Sequence, residues 1–69
     1  MKYLVKLIEG DYLSVGALTD VQLIYKNVPY EKAQKFEYKY AKYHYDVLKE
    51  LSKLDNWELY YPLAIEEVE

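Results

Sequence analysis

The stretch 30–61 contains neither glycine nor proline, although the chain of 69 residues holds two of each. Within it, apolar side chains recur at steps of three and four, the period of an amphipathic helix. The resulting stripe runs through Ala33, Phe36, Tyr40, His44, Val47, Leu48, Leu51 and Leu54, and His44 is its one titratable member at neutral pH. Pro29 suits the start of a helix, and Asp55-Asn56 suits its end. Since strands are rarely so long, the pattern predicts one helix over about 30–54.

Three segments rich in β-branched and aromatic residues flank this predicted helix. They are 2–8, 21–27 and 57–63. The segment 10–20 holds both glycines and is predicted as a loop with room for an extended piece at 12–15. The first two strands most simply pair antiparallel, and residues 64–69 are predicted to form an acidic tail. The sequence therefore predicts one α+β domain over 1–69, of order β-β-α-β, with a long helix packed across a three-stranded sheet.

The cysteine count and the apolar pattern limit the class of protein. The chain has no cysteine, which excludes disulfides and thiolate metal sites and suits a reducing cytoplasm. Its 52% hydrophobic and 30% charged residues are not the composition of a disordered chain. The opening MKYLVKLIEG is too short and too charged for a signal peptide, and no apolar run reaches membrane-spanning length. We therefore expect a cytoplasmic protein with no membrane partner.

Charge is unevenly distributed along the chain. Residues 1–30 hold three lysines and three acids, and residues 31–53 hold six lysines and four acids. Residues 54–69 hold five acids and no lysine, which completes the net charge of −3. Arginine, the preferred residue for binding carboxylates and phosphates as a fork, is absent. A mildly basic middle thus precedes an acidic end.

No arrangement of residues predicts catalysis. The single histidine, His44, falls on the apolar stripe, where its helix neighbours are Tyr40 and Glu37. A general base needs a partner geometry that these residues do not supply, so His44 is expected to be partly buried and hydrogen-bonded. Glu66 and Glu67 are adjacent and have no histidine near them, which does not suit a metal site. We predict no enzymatic activity, no cofactor and no metal.

Tyrosine is the unusual feature of the composition, at ten residues of 69. A compositional origin accounts for it as well as function does, because an AT-rich genome favours Tyr, Lys, Ile, Asn and Glu codons. The functional interpretation is that one thin core cannot bury so many rings, and that aromatic residues are enriched at the centres of protein interfaces. On this interpretation the contact residues are Tyr38 and Tyr45 on a flank of the helix and Trp57 and Tyr60 on the last strand.

The face of the predicted sheet away from the helix supports the same interpretation. It would carry some of Leu4, Ile8, Ile24 and Tyr60, together with Lys6, Lys26 and Glu58. Such a face is too apolar to lie in water uncovered. A second copy of the chain or a partner would cover it, so we expect a homodimer or a complex.

Nucleic-acid binding is the alternative. Lys35, Lys39, Lys42 and Lys49 lie on the polar side of the predicted helix, where lysines could follow phosphates while Tyr38 and Tyr45 stack on bases. Asp46 and Glu50 interrupt this face, arginine is absent and the whole chain is acidic, all of which favour an ordinary solvated face. A subunit of a larger assembly is a third interpretation.

The general character of the chain resembles a class of small proteins. The opening MKYLVKLIEGDYL, the Lys/Tyr/Glu-rich helix after NVPYEKAQKF and the ending WELYYPLAIEEVE are similar to the short proteins encoded by phages and mobile elements of low-GC Gram-positive bacteria. This resemblance implies stoichiometric inhibition of one host protein, such as a replication, transcription, nuclease or defence factor, in the host cytoplasm. It assigns no role to any particular residue.

Overall fold

A computed structural model describes residues 1–17, 23–53 and 60–68 of the chain. These residues form one helix and a four-stranded antiparallel sheet of order β3-β2-β1-β4. The elements are β1 (Tyr3–Leu7), β2 (Tyr12–Ala17), β3 (Leu23–Val28), α1 (Tyr38–Leu51) and β4 (Pro62–Glu67), with short 3₁₀ turns at Ile8–Gly10 and Tyr30–Lys32. The predicted α+β class is confirmed, but the sheet has four strands where three were predicted.

The fourth strand comes from the segment predicted as a loop. A tight turn with Glu9 and Gly10 in the left-handed region, at φ 66° and 82°, reverses the chain after β1. The Leu7 amide donates to the Asp11 carbonyl at 2.7 Å and closes this turn. The predicted pairing of the first strand with 21–27 is therefore wrong, because β2 lies between β1 and β3 and pairs with both.

The predicted start of the helix at residue 30 is also wrong. Beyond the turn, β1 and β2 separate, and residues 34–36 fill the space between them. The Gln34 amide donates to the Leu13 carbonyl at 3.2 Å, the Gln34 side chain accepts from the Val15 amide at 2.8 Å, and Phe36 exchanges two backbone bonds of 2.8 Å with Tyr3. Backbone groups used in this way cannot form helical bonds. The helix consequently begins at Tyr38 and ends at Leu51, and the predicted stripe residue Leu54 lies outside the described residues.

The core lies between α1 and one face of the sheet. Its buried members, packed in one cluster, are Val5, Leu7, Leu13, Phe36, Ala41 and Leu48. In α1 the buried positions Ala41, His44 and Leu48 follow steps of three and four, so the helix turns a narrower stripe inward than the sequence predicted. The helix packs mainly against β1 and β4. Each fully buried leucine contributes about 1.5–3 kcal/mol through removal from water.

The opposite face of the sheet is covered in part by the chain itself. Leu4 is only 3% exposed and lines a depression of about 200 Å³ with Tyr30, Ala33 and Val68 among others. The Tyr12 hydroxyl donates to Glu66 Oε1 at 2.8 Å across this face, and that hydrogen bond, with burial, raises the pKa of Tyr12. The predicted bare apolar face is therefore wrong for Leu4, whereas Ile24, also predicted on it, is 37% exposed. The homodimer stays a prediction.

The last strand begins later than predicted. Pro62 opens β4, a place where proline costs no ladder bond, and β4 continues through Glu67. Ile65 pairs with Val5 and Glu66 with Leu4, so alternate side chains reach the core and the far face. The predicted acidic tail 64–69 is thus mostly strand. The predicted strand 57–63 overlaps β4 only at residues 62–63. Residues 57–59 of that prediction lie outside the described residues.

Candidate protein-binding surface

Two flanks of α1 remain outside the core, one on each side of its buried stripe. The aromatic flank consists of Tyr40, Tyr43 and Val47, and the lysine flank consists of Tyr38, Lys42 and Lys49. On the aromatic flank, the side chains of Tyr40 and Tyr43 are 52% and 59% exposed. Steps of three, four or seven residues bring the members of each flank onto one line along the helix.

An open groove borders the aromatic flank. It consists of two adjoining depressions that share Tyr40 and His44, and we call it the aromatic groove. The first, of about 540 Å³, is lined by Lys39, Tyr40, Tyr43 and His44. The second, of about 440 Å³, is lined by Lys2, Val15, Gly16, Gln34, Lys35, Phe36, Glu37, Tyr40 and His44.

The groove exists because of where the helix lies on the sheet. Since α1 packs mainly against β1 and β4, it covers β2 and β3 less completely. Val15 on β2 and Tyr25 on β3 point to the helix side but are only half-buried. The uncovered space between these strands and the aromatic flank forms part of the groove.

His44 forms the floor of the groove. It is 8% exposed, and its Nδ1 lies 3.1 Å from the Tyr25 hydroxyl, which donates to it when the imidazole proton is on Nε2. The rings of Tyr25, Phe36 and Tyr43 lie 5.6, 5.3 and 5.2 Å from the imidazole, measured between centroids. Burial lowers the pKa of His44 and raises that of Tyr25. A neutral histidine therefore links α1 to β3 at neutral pH.

Of the four predicted contact residues the structure describes three, and these differ in exposure. Tyr38 is exposed on the lysine flank, where its ring meets Tyr3 edge to face at 5.2 Å. Tyr45 and Tyr60 are half-buried and pack against the core, and Trp57 lies outside the described residues. The sequence analysis did not single out Tyr40 and Tyr43, the exposed rings that border the groove. Tyr40 was assigned to the buried stripe, because its spacing to His44 and Leu48 fits that stripe as well as its spacing to Tyr43 and Val47 fits the aromatic flank.

The predicted lysine face is divided. Lys35 and Lys39 lie at the aromatic groove. Lys42 and Lys49 lie on the other flank, where the Lys42 ammonium is 2.8 Å from Asp46 Oδ2 and the Lys49 ammonium is 5.7 Å from the Tyr45 ring. The hydrogen bond to Asp46 raises the pKa of Lys42. The lysines therefore do not form one continuous track for a phosphate backbone.

Two further findings concern only the residues that the structure describes. Among them, no group of three or more His, Asp or Glu side chains is placed to hold a metal ion. No helix in the same residues is long and apolar enough to cross a membrane.

Comparison with known proteins gives no assignment. No protein-family model matches the chain, and the searches of curated proteins and of solved structures return no match.

Proposed function

We propose that the protein is a small non-enzymatic protein-binding module whose contact surface is the aromatic flank with the aromatic groove beside it. The observation that carries the proposal is the exposure of Tyr40 and Tyr43, more than half of each side chain, over a groove of about 540 Å³. Rings of this size bury about 150–250 Å² when they are covered, and they dominate the energetics of many interfaces.

The geometry suits a protein partner better than an enclosed small molecule. Pockets for small ligands occupy about 300–1,000 Å³ and bury most of the ligand surface. The aromatic groove has a comparable volume, but it lies open along one side of α1. An open groove of this kind receives a side chain or a short segment from a protein surface.

The resemblance to phage and mobile-element proteins extends the proposal to a biological role. We infer stoichiometric inhibition of a host protein, by occupation of a surface that the host protein needs for its own partner. Replication, transcription, nuclease and defence factors are the candidate targets. This part of the proposal rests on the general character of the sequence alone.

Capture from a host lysate tests the proposal. The tagged chain, the double variant Tyr40→Ser/Tyr43→Ser and the control Tyr38→Ser are incubated with lysate of a low-GC Gram-positive bacterium, with and without nuclease. Tyr38 is a matched control because it lies on the same helix and is as exposed as Tyr40, at 52%. We expect one host protein to be retained by the wild type and by Tyr38→Ser, whether or not nuclease is present. The double variant should bind it at least about 30-fold more weakly, the loss typical of two removed anchors.

The outcomes separate the alternatives. Equal capture by the double variant contradicts the assignment of the contact surface. Loss of capture in Tyr38→Ser alone returns the site to Tyr38, one of the contact residues that the sequence predicted. A partner that disappears with nuclease contradicts protein binding and favours the nucleic-acid alternative, in which binding also weakens steeply with salt.

A further inference from the structure

We propose that the aromatic groove binds an acidic segment of a partner protein, with an apolar side chain held between Tyr40 and Tyr43 and carboxylates against the lysines at the groove. This inference rests on the proposed function and specifies the chemistry of the partner.

The charge of the groove is the first argument. Three lysines line it, Lys2, Lys35 and Lys39, against a single acid, Glu37. The groove is thus positive by two charges in a chain whose net charge is −3. Exposed charges more than about 8–10 Å away are largely screened at physiological salt, but Asp46 and Glu50 line the surface directly beyond Tyr43. The positive excess is therefore confined to the end of the groove at Lys2, Lys35 and Lys39, where the carboxylates of a partner would bind. Complementary charge of this kind selects an acidic partner and speeds its association.

The apolar surface between the lysines is the second argument. Val15, Phe36 and His44 lie along the floor, and the Tyr40 and Tyr43 rings form the helix wall. A segment carrying only carboxylates would leave this apolar surface exposed to water. An aliphatic or aromatic side chain flanked by acids would cover the apolar surface and also pair with the lysines. Burying such a side chain supplies about 25 cal/mol for each Å² of apolar surface removed from water.

The same features argue against nucleic acid as the occupant. A single strand would need lysines spaced along its backbone, with rings beside them for the bases. Lys42 and Lys49 lie on the other flank of α1, away from the groove, and Lys42 is paired with Asp46. The chain has no arginine, the residue that forms bidentate hydrogen bonds with phosphates. The groove therefore offers a compact positive site and not an extended track.

Selection from a random peptide library displayed on phage tests the inference. The library is selected in parallel on the immobilised wild type and on Tyr43→Ser, and peptides enriched only on the wild type are defined as groove-dependent. We expect these peptides to carry an excess of Asp and Glu around an aliphatic or aromatic residue. The strongest is then synthesised with a fluorescent label, and its affinity is measured by anisotropy against the wild type, Lys39→Glu and Lys49→Glu.

The two lysine variants form a matched pair. Each reverses one exposed charge on α1, but only Lys39 lies at the groove. A glutamate at 39 would also sit in the first turn of the helix, where a negative charge is favourable, so weaker binding would not reflect unfolding. We expect Lys39→Glu to lower the affinity for the peptide at least about tenfold, because it places a negative charge where the acidic peptide binds. Lys49→Glu should change the affinity by less than about twofold, because its charge lies away from the groove.

Each other outcome has a definite meaning. Groove-dependent peptides that are neutral or basic overturn the acidic partner and leave the proposed protein-binding surface standing. A library that yields no groove-dependent peptide also overturns this inference, while the lysate capture decides the proposed function separately. If oligothymidylate displaces the peptide at equal concentration and Lys49→Glu weakens both, the groove is part of a nucleic-acid surface and the inference is wrong.

Discussion

The two flanks of α1 carry similar side chains and differ in what lies beside them. On the lysine flank, the Tyr38 ring packs edge to face against Tyr3, and Lys42 forms an ion pair with Asp46. On the aromatic flank, Tyr40 and Tyr43 border an open groove with a buried histidine at its floor. The exposure of Tyr38 and Tyr40 is the same, 52%. Exposure alone therefore does not distinguish the two flanks, whereas the shape of the surface beside each ring does.

The difference follows from how the helix is placed on the sheet. Because α1 packs mainly against β1 and β4, one of its flanks overhangs the less covered strands β2 and β3. The Tyr25–His44 hydrogen bond links the helix to β3 across that gap. The groove is thus a consequence of sheet order, and any change that lets α1 move on the sheet should alter the aromatic flank first.

The largest expected effect comes from the residue between the two flanks. Leu48 is fully buried, and truncation in Leu48→Ala should lower the free energy of unfolding by about 3 kcal/mol, through lost burial and the cavity that remains. For a chain of this size that is a large part of the total stability. Urea denaturation followed by circular dichroism measures it. The control Tyr43→Ala should change the same quantity by less than about 1 kcal/mol, since its side chain is mostly exposed.

A second change separates a core role from a contact role for Tyr45. The sequence placed this ring in the contact surface, which would make Tyr45→Ala nearly neutral for stability. In the structure Tyr45 is half-buried against the core. We therefore expect the free energy of unfolding to fall by about 1–2 kcal/mol, a share of the cost of truncating a fully buried ring. An unchanged urea midpoint would contradict this placement and restore the predicted role.

The sequence predicted the regular parts of the fold and missed those that depend on distant partners. The period of α1 and the β-rich composition of β1 and β3 are local signals, and each element was found near its place. Residues 33–36 also have helical spacing, but Phe36 pairs with Tyr3 and Gln34 with β2, and such pairing is invisible in the local pattern. Likewise the sequence predicted Glu66 as part of an acidic tail, because the hydrogen bond that Glu66 accepts from Tyr12 joins residues far apart in the chain.

The candidate site was less predictable for the same reason. Tyr38, Tyr40 and Tyr43 all lie within one short stretch, and helical spacing can sort them into flanks. Which flank borders a groove depends on the order of the strands beneath, and that order was not predicted. Among the four lysines, the predicted helix start misplaced only Lys35, because the sequence began the helix eight residues too early, at Tyr30 and not at Tyr38.

A smaller effect should appear at the floor of the groove when the pH is lowered. Burial depresses the pKa of His44 below its ordinary value of 6.5, so the folded state favours the neutral ring. The unfolded chain then binds more protons as the pH falls below 6.5, and the free energy of unfolding should decrease there until the pH passes the folded pKa. Urea denaturation between pH 7.5 and about 5 measures this decrease.

The variant His44→Gln provides the comparison. It keeps a polar side chain beside Tyr25 and removes the titrating group, so its stability should depend less on pH over the same interval than that of the wild type. Carboxylates titrate at lower pH in both proteins and cancel in the difference between the two curves. Parallel curves for the variant and the wild type would show that His44 is not held neutral by burial.

The smallest effect is expected on the lysine flank, at the ion pair between Lys42 and Asp46. Both side chains are about half exposed, at 51% and 55%, and the pair joins neighbouring turns of one helix. Water and salt screen such a pair, and ordering two mobile side chains offsets much of the attraction. A double-mutant cycle with Lys42→Ala and Asp46→Ala should therefore give a coupling energy close to the error of urea denaturation. A large coupling would mean that the pair orders the lysine flank. The two flanks would then differ in rigidity as well as in shape, and the mobility of Tyr40 and Tyr43 would have to be compared with that of the lysine flank.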